Sequence, residues 1–91
     1  MDKQILFSII DSMDFSKDPC VTFILKNGRR YYTSWNKLEK FRKTEDTTLE
    51  MDQMSGDHIS LPFWMWKTYM INIEDVVEIE HNFNKYKLSI N

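Results

Sequence analysis

The spacing of apolar and polar positions changes period along this 91-residue chain, and the changes divide it into elements. Between Lys3 and Met13, the residues Ile5, Leu6, Ile9, Ile10 and Met13 recur at helical intervals, with Phe7 widening the stripe and Asp2 placed to cap it. The spacing predicts a short amphipathic helix. Pro19 argues against helix passing through it. From Cys20 the period is two: Val21, Phe23 and Leu25 share one face, while Thr22, Ile24 and Lys26 share the other. Asn27-Gly28 follows as the strongest short hairpin signal, read as a type I′ turn because both residues tolerate positive φ. Arg29 to Thr33 is the expected return strand.

Trp35, Leu38 and Phe41 then fall at i, i+3 and i+6 behind Ser34, an N-cap residue type, which favours a short helix; the alternative is a long bent strand that continues the hairpin. Thr44 to Thr48 reads as an acidic loop and Thr48 to Met54 as a strand, followed by turn chemistry at Ser55-Gly56-Asp57. From His58 a further strand places Ile59, Leu61, Phe63 and Met65 on one face and Trp64 and Trp66 on the other. Pro62 marks that strand as an edge, a bulge or a bend. Tyr69 to Ile73, an acidic turn at Glu74-Asp75, Val76 to His81, a turn at Asn82 to Lys85 and a last strand with Tyr86, Leu88 and Ile90 complete the chain. So many short strands with so few helices cannot cover both faces of a flat sheet. The expected fold is α+β, mainly β: one domain with an N-terminal helix followed by a strongly bent antiparallel sheet forming a small barrel.

This order of elements resembles the Sm-like small barrels, within the wider group of SH3-like barrels. The resemblance rests on a leading helix, VTFILKNGRRYY, a later LEMDQM strand and the closing YMINIEDVVEIE. It implies a five-stranded bent sheet, and in that family such sheets assemble into rings and bind RNA. The chain departs from the pattern in three places. Thr33-Ser34-Trp35 stands where a glycine is common, Glu45-Asp46-Thr47-Thr48 where an aspartate and an asparagine read a base, and Ile71-Asn72 where eukaryotic Sm proteins carry Arg-Gly. The resemblance therefore transfers topology and no RNA-binding residue.

Composition supports a folded domain: 42% hydrophobic residues can fill one core and 29% charged residues can solvate it. Cys20 is the single cysteine, so no internal disulfide forms, a buried structural thiol is expected, and the chain reads as cytoplasmic. The N-terminal segment has neither the cleavage pattern of a signal peptide nor the length of a membrane span. His58 and His81 lack partners at metal-ligand spacing. Glu78 and Glu80 share a strand face, but alternation with Val77 and Ile79 reads as a solvated outer side. With no glycine-rich phosphate loop and no nucleophile motif, neither an enzyme nor a cofactor is expected.

Charge is where the chain departs from an ordinary domain. Seven of its twelve Lys and Arg residues lie between Lys26 and Lys43, against one acid, Glu39, with aromatic residues threaded among them. The candidate binding residues are Lys26, Arg29, Arg30, Tyr31, Tyr32, Trp35, Lys37, Lys40, Arg42 and Lys43. Arginines would give bidentate contacts to carboxylate or phosphate, rings would stack and lysines would steer. The competing reading is that runs of opposite sign neutralise one another across a hairpin or a subunit contact. Trp64 and Trp66 are candidates for an oligomer or partner contact. The expected function is a non-enzymatic binding or regulatory module acting on a partner protein or a protein–nucleic acid complex. Small inhibitors carried by phages and other mobile elements are of this kind. The alternatives are an Sm-like RNA or single-stranded nucleic acid binding protein, and a structural subunit of a homo-oligomer.

Overall fold

A computed structural model describes residues 1–54 and 67–87. Their elements are α1 (Lys3–Ile10), β1 (Cys20–Leu25), β2 (Arg30–Ser34), α2 (Trp35–Arg42), β3 (Thr48–Met54), β4 (Thr68–Asn72), a 3-10 turn (Ile73–Asp75), β5 (Val76–His81) and β6 (Asn84–Lys87). The strand expected after His58, with Trp64 and Trp66, lies outside the described residues, as do Leu88 and Ile90.

Local chemistry sets the helix limits. Asp2 caps α1, its Oδ1 accepting from the Ile5 amide at 2.8 Å. The expected extension to Met13 stops at Ile10, where the backbone tightens to i→i−3 bonds, Ser12 N–H donating to Ile9 O at 3.1 Å and Met13 N–H to Ile10 O at 3.0 Å. The spacing of Trp35, Leu38 and Phe41 is resolved as helix: Leu38 and Phe41 are buried, and Ser34 Oγ accepts from the Lys37 amide at 3.4 Å.

All pairings are antiparallel, in the order β4-β3-β2-β1-β5-β6. The register places Val21, Phe23, Leu25, Tyr31, Leu49, Met51 and Ile79 in one core with Leu6, Phe7 and Ile10 of α1 and Leu38 and Phe41 of α2. Both helices therefore cover the same face. The opposite face carries Thr22, Arg30, Tyr32, Asp52, Glu78 and Glu80, since paired residues share a side.

Chain length shows that the sheet is bent. Asn72 and Val76 are separated by at most about 14 Å of chain, yet β4 and β5 stand four places apart in the sheet, about 19 Å if it were flat. The 3-10 turn closes that distance, with Ile73 N–H donating to Thr47 O at 2.9 Å and Asp75 O accepting from Lys26 N at 3.0 Å. The amino group of Met1 donates to the carbonyls of Ile73, Glu74 and Val76 beside it. Bending stops short of closure. Among the described strands no ladder joins the two edges, because the outer edge of β5 is already paired with β6. The expected barrel is thus an open, six-stranded curled sheet.

The β1–β2 hairpin does not take the type I′ turn expected of it, and the turn expected over Asn82 to Lys85 contracts to two residues. At β1–β2 only Gly28 is left-handed, at φ +84°, and Leu25 N–H donates to Arg29 O across a three-residue loop. That is the bulged hairpin rather than type I′. The two-residue turn with both residues at positive φ is instead Asn82-Phe83, between the paired residues His81 and Asn84.

Candidate docking face on α2

The fold divides the basic, aromatic segment between two ends of the molecule. Lys26 and Arg29 lie in the β1–β2 loop, while Trp35 to Lys43 lie a strand length away, beyond the far end of β2. The intervening residues are committed to the fold. Tyr31 is 4% exposed and meets Tyr69 edge-on at 5.8 Å, so it cannot stack on a ligand. Its register opposite Phe23 carried that information. Tyr32, on the other face, is half-buried, and its phenol is pushed up to about 12, first by burial and then by the Asp52 carboxylate.

Three cations of the segment, Arg30, Arg42 and Lys26, are met by the chain's own carboxylates. Arg30 Nη2 bonds Glu80 Oε2, and Lys85 lies 3.8 Å from the other oxygen of Glu80. Glu80 is therefore a partly covered ion-pair partner rather than a freely solvated acid. Arg42 bonds both Asp11 oxygens, reaches Glu39 at 3.3 Å and lies over the Phe7 ring at 4.5 Å. This pairing fastens α2 to α1 and raises the guanidinium pKa, chiefly through the Asp11 hydrogen bond. Lys26 faces Asp75 at 3.9 Å with both side chains largely exposed, a pair of little energetic consequence.

Of the seven cations between Lys26 and Lys43, four have no ion pair among the described residues: Arg29, at the hairpin, and Lys37, Lys40 and the C-cap residue Lys43, together along α2. Helical geometry explains the grouping. Leu38 and Phe41 point to the core, so Lys40 and Lys43 fall on the opposite side and Lys37 on the flank toward β3. An open groove of about 370 Å³ lies along that flank, with Lys37 and Lys40 on one wall, Phe41 and Leu49 at its base and Asp46 and Glu50 opposite. Trp35, in the first turn, is 43% exposed. Its amide donates to Pro19 O at 2.7 Å, which fixes the start of the helix against the β1 entry.

Among the described residues the remaining reactive groups, Cys20 and His81, do not form a site with each other; His58 lies outside the described residues. Cys20 is exposed, contrary to the buried thiol expected of it, because it starts β1 on the outer face. Its thiol pKa is raised by local burial and by Asp18 and Asp52, the opposite of what a nucleophile needs. His81 is buried on the inner face, bonded through Nε2 to Asp18 O at 2.9 Å and packed on Phe15 at 4.8 Å. Cys20 and His81 thus project from opposite sides of the sheet. Among the described residues no cluster of three His, Cys, Asp or Glu is placed to hold a metal ion, and no helix is long and apolar enough to cross a membrane.

Phe83, which the sequence pattern placed only in a turn, is 99% exposed. Its exposure had no signal beyond the two-residue spacing of the flanking strands.

Comparison of the chain with protein-family models, with curated proteins and with solved structures finds no match in any of the three.

Proposed function

We propose that the protein is a non-enzymatic contact module that docks an acidic surface of a partner protein onto the solvent side of α2. The observation that carries this reading is the grouping of Lys37, Lys40 and Lys43 on one short helix without ion pairs among the described residues, beside a half-exposed Trp35. Long-range attraction comes from the lysines, and contact area from the indole and the lysine stems. Direct nucleic acid binding has less support. Of the three arginines suited to bidentate phosphate contact, Arg30 and Arg42 are spent on Glu80 and Asp11, Arg29 stands at the far end of the molecule from α2, and Tyr31 is buried.

The test is recovery of a partner from lysate on immobilised chain, with and without nuclease, against the triple variant Lys37→Glu, Lys40→Glu, Lys43→Glu. The reading expects a nuclease-resistant partner that the triple variant fails to retain, with circular dichroism unchanged. Recovery that depends on nucleic acid, or that survives the triple reversal, rejects it.

A further inference from the structure

We infer that Phe83 is an anchor side chain, held out by the β5–β6 hairpin to enter an uncharged, ring-sized pocket on a partner protein. Two costs coincide at this residue. The pairing of His81 with Asn84 leaves a two-residue turn, with Asn82 at φ 50° and Phe83 at φ 70°. Asparagine tolerates that region, but a bulky side chain there is strained by roughly 1–2 kcal/mol, which is why glycine commonly fills the second position. The ring is also 99% exposed, so packing among the described residues returns nothing for the strain. A turn selected only to reverse direction would avoid both costs, and backbone strain of this kind concentrates where a side chain must be presented.

The hairpin is built as a fixed support. Below the turn, His81 is 5% exposed, bonded to Asp18 O and packed on Phe15, while β5 is paired on both edges, with β1 and with β6. A ring carried on a fixed stem loses little freedom on binding.

Charge around the tip selects the occupant. The immediate neighbours, Asn82 and Asn84, are neutral amides, Lys85 lies toward Glu80, which also receives Arg30, and the exposed Lys17 of the loop that bonds His81 stands in sequence between Asp14 and Asp18. An anionic bilayer or a nucleic acid would call for a collar of unpaired cations around the ring. A protein pocket with an apolar interior and hydrogen-bonding groups at its rim matches one ring between two amides. The register Cys20–Ser34 and Thr22–Glu80 brings Phe83 and Trp35 to the same end of three adjacent strands, about 10 Å apart at the backbone. The inference does not depend on the α2 face, although one partner can reach both.

Two measurements test it. Phe83→Gly relieves the strain and removes no contact among the described residues, so its melting temperature should rise by roughly a few degrees; a fall would mean that the ring packs within the chain, and would overturn the proposal. Second, Phe83 is replaced by the photo-reactive p-benzoylphenylalanine and irradiated in lysate with excess unlabelled chain as competitor. The proposal expects a protein adduct that wild-type chain suppresses and that Phe83→Gly suppresses about thirtyfold less well, the effect of losing a central anchor. No adduct, adducts with lipid, nucleic acid or the chain itself, or equal suppression by Phe83→Gly would each overturn it. The triple lysine variant as competitor separates the two readings: suppression equal to wild type supports an anchor whose partner does not use the α2 face.

Discussion

At the scale of single residues, environment matters more than residue type. Cys20 is accessible to solvent, yet its thiol is held protonated by burial of the sulfur and by the Asp18 and Asp52 carboxylates. Iodoacetamide should therefore modify the folded protein at pH 7 more slowly than the unfolded one, and Asp18→Asn or Asp52→Asn should quicken the reaction. Tyr32 makes an alkaline counterpart. Its folded pKa of about 12 stands above the usual value of 10, so between those values the native state binds more protons than the unfolded state. The stability this group contributes is present below pH 10 and declines as pH rises toward 12. Thermal melts at pH 9 and pH 11 should show a larger drop for the wild type than for Tyr32→Phe, and the phenolate absorbance that the substitution removes should titrate near the upper value.

At the scale of elements, α2 depends on its start. Ser34→Ala removes the oxygen that accepts from Lys37 N, at a cost of about 1 kcal/mol in urea denaturation. The β1–β2 hairpin gives a sharper contrast between neighbours. Arg29→Glu changes an exposed residue without an ion pair among the described residues and should leave stability within about 0.5 kcal/mol. Arg30→Glu sets a carboxylate against Glu80 and should cost roughly 1–2 kcal/mol by the same measurement. The helices and most strand limits were legible because amphipathic period and cap chemistry are local. The fate of the basic segment was not. Arg30 meets its acid 50 positions later in the chain and Arg42 meets one 31 positions earlier, so a local count of charge cannot tell which cations are left over. Tyr31 was readable in principle, since it shares parity with Phe23 across the hairpin. The prominence of its neighbouring cations obscured that parity.

At the scale of the whole molecule, the sheet's curvature and its open edges follow from long-range pairing that no window of sequence contains. Bending is forced by the short 3-10 turn between β4 and β5, and closure is prevented by β6 on the far edge. That architecture leaves α2 and the β5–β6 turn at one end and the Gly28 loop at the other, so a contiguous stretch of cations is divided between two ends of the molecule. The β1–β5 ladder also has a kinetic meaning. Thr22 and Glu80 stand far apart in sequence, so the cost of closing the loop between them makes late pairing of β1 with β5 the expected order. Ile79→Val, at a fully buried position of β5, should therefore accelerate unfolding more than it slows refolding in stopped-flow measurements, at a total cost of about 1 kcal/mol. Until β5 arrives, the newly made β1 edge presents Val21, Phe23 and Leu25 to any passing strand. A nascent or heat-shocked copy is thus most prone to aggregate through the strand that later lies at the centre of its native sheet.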